Sequence, residues 1–153
     1  MSSYIKQEYD FVERMLKIIE QYESSKIQPH YEITLLLNCF VGLIILPQQL
    51  WYEQLSGALI EEKEWGISPL HIGYISKNET KNVKSVITHL RNSVSHYKFT
   101  AFSNRNEEIS SINFIDKDQA GNKTFEATIP IKNLNKFIKI FSSSIMELMN
   151  KSK

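Results

Sequence analysis

The stretch HLRNSVSHYKF, His89 to Phe99, brings an arginine, an amide and a histidine together in a chain that holds only three arginines and four histidines. Arg91 is followed directly by Asn92 and, five positions on, by His96. An imidazole, whose ordinary pKa lies near neutrality, can move a proton to or from a ribose 2′-hydroxyl or a leaving 5′-oxygen. A guanidinium fork can hold the scissile phosphate and stabilise the charge that develops on it. Together they suit RNA cleavage without a metal: the 2′-oxygen is the nucleophile, which restricts the activity to RNA and leaves a cyclic phosphate. The same residues also read as a solvated Arg–His pair on the shoulder of a helix, because short motifs recur by chance.

Such residues need a rigid element to position them. SKNE, from Ser76, has the form of a capping box with Glu79 three positions on. Beyond it Val83, Val86, Ile87, Leu90, Val94 and Tyr97 fall on one apolar stripe. The pattern predicts a helix that opens at Ser76 and carries the motif near its C-terminal end. At about 100° per residue, Ser85, His89, Asn92 and His96 share a polar face and Arg91 lies on its shoulder. Asn92 and His96 are one turn apart, so the amide could orient the imidazole. Arg91 and His96 stand about 140° apart on an ideal helix. They converge only where the helix loosens near its end, or where a facing copy of the chain supplies the partner. Ser95, Tyr97 and Lys98 are candidate helpers at the substrate. His89 is another, and it reads equally as a surface or capping histidine.

The remaining pattern is mostly helical. A first helix is expected from Tyr4 to Ser24, with Ile5, Tyr9 or Val12, Leu16 and Ile19 at helical spacing. Pro29 suits the first turn of a second helix, which carries the apolar run Ile33 to Leu46. That run is shorter than the roughly 20 residues a bilayer requires, so it reads as a buried central helix and not a membrane span. Pro47 ends or kinks it. Asn38 within it is expected to be a buried hydrogen-bonding residue. QQLWYEQLSGALIEEKEW reads as a continuation or a short helix, with Glu61, Glu62 and Glu64 as a solvated face, and GISPLHIGYISKN as a connecting loop.

After the motif the period changes. EISSINFID and TFEATIPI, separated by KDQAGNK, read as a β-hairpin in which Phe125, Ala127, Ile129 and Ile131 alternate and Pro130 suggests an edge strand. A last helix buries Leu134, Phe137, Ile138, Phe141, Ile145 and Leu148, with Ser142 to Ser144 structural. The expected fold is therefore mainly α: a single-domain helical bundle over residues 1–153, with a small β-hairpin inserted between the motif helix and the C-terminal helix.

Composition narrows the functional classes. A hydrophobic share of 42% excludes a disordered chain. A net charge of +1 excludes a broad electrostatic nucleic-acid footprint, so any RNA contact is local, in a narrow cleft. The single cysteine, Cys39, cannot form an internal disulfide and reads as a buried, reduced thiol of the cytoplasm. MSSYIKQEYDFVERM lacks the apolar region of a signal peptide. There is no glycine-rich phosphate loop, no nucleophile elbow, no close cysteine pair and no two histidines at i and i+4. No metal and no cofactor is expected.

LRNSVSH on the third main helix of a small bundle resembles the HEPN superfamily, whose motif is an arginine, four to six residues, then a histidine, often with a polar residue after the arginine. LLNCFVGLIILPQ, LRNSVSH and the INFID strand make most of the chain similar to a HEPN subgroup found on plasmids and mobile elements. The resemblance implies a homodimer in which two motif helices form a composite cleft, and a metal-independent endoribonuclease of toxin, phage-defence or abortive-infection type. Arg91, Asn92 and His96 match the motif position by position. Arg91 would grip the phosphate, His96 would handle the proton, and Asn92 would orient His96. The resemblance also raises an antitoxin partner of the nucleotidyltransferase type. The rival expectation is a non-catalytic HEPN module that binds a protein or nucleotide partner.

Overall fold

The structure, a computed structural model, describes residues 6–26, 32–45, 54, 57–61, 65–106 and 108–151. Among them the order is α1 (Gln7–Glu23), α2 (Glu32–Ile45), a 3-10 turn (Pro69–His71), β1 (Ile72–Ile75), α3 (Val83–Ser95), β2 (Phe99–Ser103), β3 (Ile109–Lys117), β4 (Lys123–Pro130) and α4 (Ile131–Lys151). Pro29, Pro47, Glu62, Glu64 and most of QQLWYEQLSGALIEEKEW lie outside the described residues.

The expectation of a mainly α bundle is overturned. The strands form one four-stranded antiparallel sheet in the order β1-β4-β3-β2, and the fold combines helices with that sheet. The expected hairpin is its centre: β3 and β4 pair from Ser111 opposite Pro130 to Lys117 opposite Lys123. Two short strands flank it. Ile72–Ile75, expected to be loop, pairs with β4 from Ile72 opposite Ala127 to Ile75 opposite Phe125. Phe99–Ser103 pairs with β3, Phe99 opposite Phe114. Both strands are four or five residues long and owe their conformation to a partner distant in sequence, so local pattern hardly registers them. β4 is consequently a central strand and not an edge. Pro130 is tolerated there because it is the last residue of β4, beyond the reach of β1.

Ile112, Phe114, Phe125, Ala127 and Ile129 are fully buried on the core face of the sheet. α3 and α4 pack on this sheet, and α2 packs on both helices. Phe40 of α2 meets Phe114 at 5.8 Å and Phe137 at 6.4 Å, both edge-to-face. α4 buries the expected stripe except Leu148, which is half-buried, while Met149 is buried one position on. α1 buries Val12, Met15 and Ile19. Its C-terminal end is tied to α4 by Glu23, which accepts from Asn135 Nδ2 at 2.8 Å and Lys139 Nζ at 3.3 Å. The Asn135 bond, with Lys139 behind it, holds that carboxyl below the usual range.

Two features of α2 separate its faces. Cys39 is buried, and burial pushes its thiol up, as for an inert sulfhydryl. Asn38, expected to be buried, is exposed together with Thr34 and Ile45, so the apolar run keeps one outer edge. Among the described residues no helix is long and apolar enough to cross a membrane.

The segment before β1 is fixed by two local contacts. Gly66 has a φ of 81°, and a Cβ there would meet Asn133 O, Lys136 Cβ and Phe137 N of α4, each at 3.0 Å. His71 Nδ1 accepts the Ser68 backbone N–H at 3.1 Å, which requires that nitrogen to be unprotonated. Burial pushes the His71 imidazole below its ordinary range. A base depressed in the folded state binds fewer protons than the unfolded chain just below the unfolded pKa of about 6.5. Its contribution is therefore complete above that pH and is lost as the pH falls through the folded value. Urea unfolding of wild type should lose more stability between neutral pH and pH 5 than that of His71→Asn, whose amide oxygen keeps an acceptor that does not titrate. Parallel pH profiles would contradict this.

Candidate active site

α3 starts later than the SKNE pattern predicts. Its N-cap is Asn82, whose Oδ1 accepts the Ser85 N–H at 2.8 Å. Ser76 and Glu79 instead close a turn, with Glu79 N–H to Ser76 O at 2.9 Å. The chain just before α3 is paired to residues 58–60: Ile60 N–H donates to Lys81 O at 2.7 Å and Val83 N–H to Ala58 O at 2.9 Å. Those bonds hold the chain at Lys81 and Asn82, with Asn82 extended at φ −94° and ψ 165°, and delay the helix to Val83.

α3 ends as its motif ends. Tyr97 N–H donates to Val94 O at 3.0 Å and Lys98 N–H to Ser93 O at 2.7 Å, the paired bonds of a Schellman motif. His96 is the C-cap, at φ −100° and ψ 10°, so the helix has already given way where the histidine stands. Lys98 O then accepts from Ile115 N–H at 2.9 Å, and β3 captures the chain as it turns into β2.

The polar face of α3 is closed by two carboxylates. His89 is only 5% exposed. Its Nδ1 lies 2.8 Å from Asp116 Oδ2 and its Nε2 lies 2.7 Å from Glu79 Oε2. Its ring stacks on Phe125 at 4.8 Å with 7° between the planes. Asp116 Oδ2 also accepts from Asn92 Nδ2 at 3.0 Å, and its Oδ1 accepts from Lys117 N–H at 2.8 Å. Glu79 Oε2 also accepts from Ser85 Oγ at 2.9 Å. Asp116 sits opposite Phe125 in the β3–β4 register, which is why one histidine can stack on the ring and bond the carboxylate together.

The candidate residues thus separate into two groups. His89 and Asn92 are bound into the α3–β3 contact, and the Asn92 amide donates to Asp116 and not to His96. Arg91 is half-buried on the helix shoulder. Ser95, His96 and Tyr97 are exposed at the end of α3, with Lys98 half-buried beyond them. Tyr97 does not continue the apolar stripe: it leaves the helix with a φ of 54° and is 83% exposed.

Glu79 and Asp116 are the residues that sequence reasoning missed. Asp116 had a signal, because Ile112, Phe114 and Asp116 alternate on one strand face, placing an acid at a core-facing position. Glu79 had a competing one, since its spacing from Ser76 mimics a helix cap. Among the described residues, no group of three or more His, Cys, Asp or Glu side chains is placed to hold a metal ion.

No curated protein and no solved structure matches the chain significantly. A family model described as HEPN pEK499 p136 matches residues 1–152, the full motif included. The chain therefore belongs to the HEPN pEK499 p136 family.

Proposed function

We propose that the protein is a metal-independent endoribonuclease that works as a homodimer, with two copies of α3 meeting in one cleft. The observation that carries this reading is the end of α3. There the motif histidine of a HEPN chain is presented to solvent at the end of a helix that is fixed on the sheet through His89 and Asn92. Arg91 holds the phosphate and offsets the charge gathering on its oxygens. The His96 imidazole takes the proton of the 2′-hydroxyl as its oxygen bonds to phosphorus. The bond to the 5′-oxygen breaks, that oxygen receives a proton from the second copy's histidine, which acts as imidazolium and returns to imidazole, and a 2′,3′-cyclic phosphate remains. Asn92, through Asp116, keeps the motif helix at its angle on the sheet. The setting we favour is cytoplasmic, in toxin, phage-defence or mobile-element biology, with RNA as the substrate.

The test pairs one RNA strand with the same strand in 2′-deoxy form, with the mass of the protein measured by light scattering. The reading predicts a dimer that cuts the RNA and leaves the deoxy strand intact. Equal cutting of both strands would remove the 2′-hydroxyl from the mechanism. A folded dimer that cuts neither would favour a binding module.

A further inference from the structure

We infer that the Tyr97 ring is a stacking platform for an unpaired base of the RNA, beside the phosphate on which Arg91 and His96 act. The inference rests on the endoribonuclease reading above and adds how the site selects its substrate.

Tyr97 occupies the position of a Schellman motif that glycine usually fills, and it does so with a φ of 54°. A bulky side chain is a true outlier there, because its Cβ crowds the backbone in the left-handed region. Such strain persists where something else requires the side chain, and it gathers at functional sites. Burial does not supply the reason, since the residue is 83% exposed. Its ring touches Phe99 edge-on at 5.1 Å, and Phe99 leans on the fully buried Phe114 at 6.4 Å. The ring is therefore propped on the core by a row of aromatics while most of its surface faces solvent.

Its place in the chain gives the partner. Tyr97 directly follows His96, and both are exposed at the end of α3. A nucleotide whose phosphate lies at His96 brings its own base or its neighbour's within reach of the next side chain. Aromatic faces accept any base by stacking, without reading its edge. A net charge of +1 leaves little affinity to phosphate contacts, and stacking supplies affinity that salt does not screen. A base is free to stack only when unpaired, so the platform favours single strands over duplex.

Three proteins test this: wild type, Tyr97→Phe and Tyr97→Gly. The probe is a short single-stranded 2′-O-methyl oligoribonucleotide, which binds but cannot be cut, alone and annealed to its complement. Cleavage of the unmodified strand and thermal unfolding are measured alongside. Tyr97→Gly should weaken single-strand binding and cleavage by roughly ten-fold. It should unfold at the same temperature as wild type or about 2–4 °C higher, because the strain is relieved. Tyr97→Phe, which keeps the ring, should retain most of the binding and cleavage that Tyr97→Gly loses. Unchanged binding and cleavage in Tyr97→Gly would overturn the platform, and a lowered unfolding temperature with it would assign the ring to packing. A loss in Tyr97→Phe equal to that in Tyr97→Gly would overturn it too, by moving the role to the hydroxyl. Wild type that binds the single strand through Tyr97 but cuts nothing would keep the platform and remove the nuclease. Wild type that cuts RNA with no help from Tyr97 would do the reverse, and no binding at all would sink both.

Discussion

Asp116→Ala should destabilise the protein by roughly 3 kcal/mol, the upper end of the scale for leaving buried hydrogen-bonding groups without their partner. The substitution takes the acceptor from His89 Nδ1 and from Asn92 Nδ2 together. It leaves a nearly buried imidazole stacked on the Phe125 ring and a half-buried amide, both without the carboxylate they shared. An unsatisfied buried donor is costlier than a bond that was never present. Replacing both partners, as in Asp116→Leu with His89→Leu, should recover much of the loss, because a packed apolar pair needs no hydrogen bonds. The measurement is a double-mutant cycle by urea unfolding, with the slopes compared to ensure that only the midpoint moves. Additive losses would mean that the two side chains do not act as a unit.

His96→Ala should lower RNA cleavage about 10²–10⁴-fold, the range for a positioned acid–base group, and Arg91→Ala about 10²–10³-fold, the range for one group that stabilises developing charge. The two should differ in stability. His96 is exposed, and its contribution to the fold is the backbone N–H that bonds Asn92 O at 3.0 Å, which alanine retains. Its unfolding should stay within about 0.5 kcal/mol of wild type. Arg91 is half-buried and engaged with its surroundings, so its variant should lose activity and some stability together. Arg91→Lys separates the charge from the fork: it keeps the positive end but not the bidentate geometry, and should retain only part of the activity. Steady-state cleavage beside urea melts of the same preparations measures both. A His96→Ala protein that cuts RNA at the wild-type rate would remove the imidazole from the chemistry.

Much of the structure was legible in the residues, and the failures share a cause. α1, α3 and α4 show in the 3.6-residue spacing of Val12–Ile19, Val83–Val94 and Leu134–Ile145, because each helix buries a local stripe. The β3–β4 hairpin shows for the same reason at a period of two. What did not show depends on distant partners. IGYI becomes β1 because β4 lies beside it, and FTAFS becomes β2 because β3 does. Those strands turn an expected bundle into a mixed fold. Asn82, and not Ser76, caps α3 because residues 58–60 hold the chain before it extended. The candidate site divides similarly. The placement of Arg91 and Asn92 on α3, with His96 at its end, could be read from one stretch. The facts that Asn92 serves Asp116, and that His89 bridges two acids, depend on the register that puts Asp116 opposite Phe125.

The most direct measurement incubates wild type, Arg91→Ala and His96→Ala, each confirmed folded, with a mixed pool of cellular RNA in excess chelator, and identifies the new 3′ ends. The account predicts 2′,3′-cyclic phosphate ends from wild type and almost none from either variant. Equal behaviour of all three proteins, whether cutting or inert, would contradict it, as would cleavage that leaves 3′-hydroxyl ends.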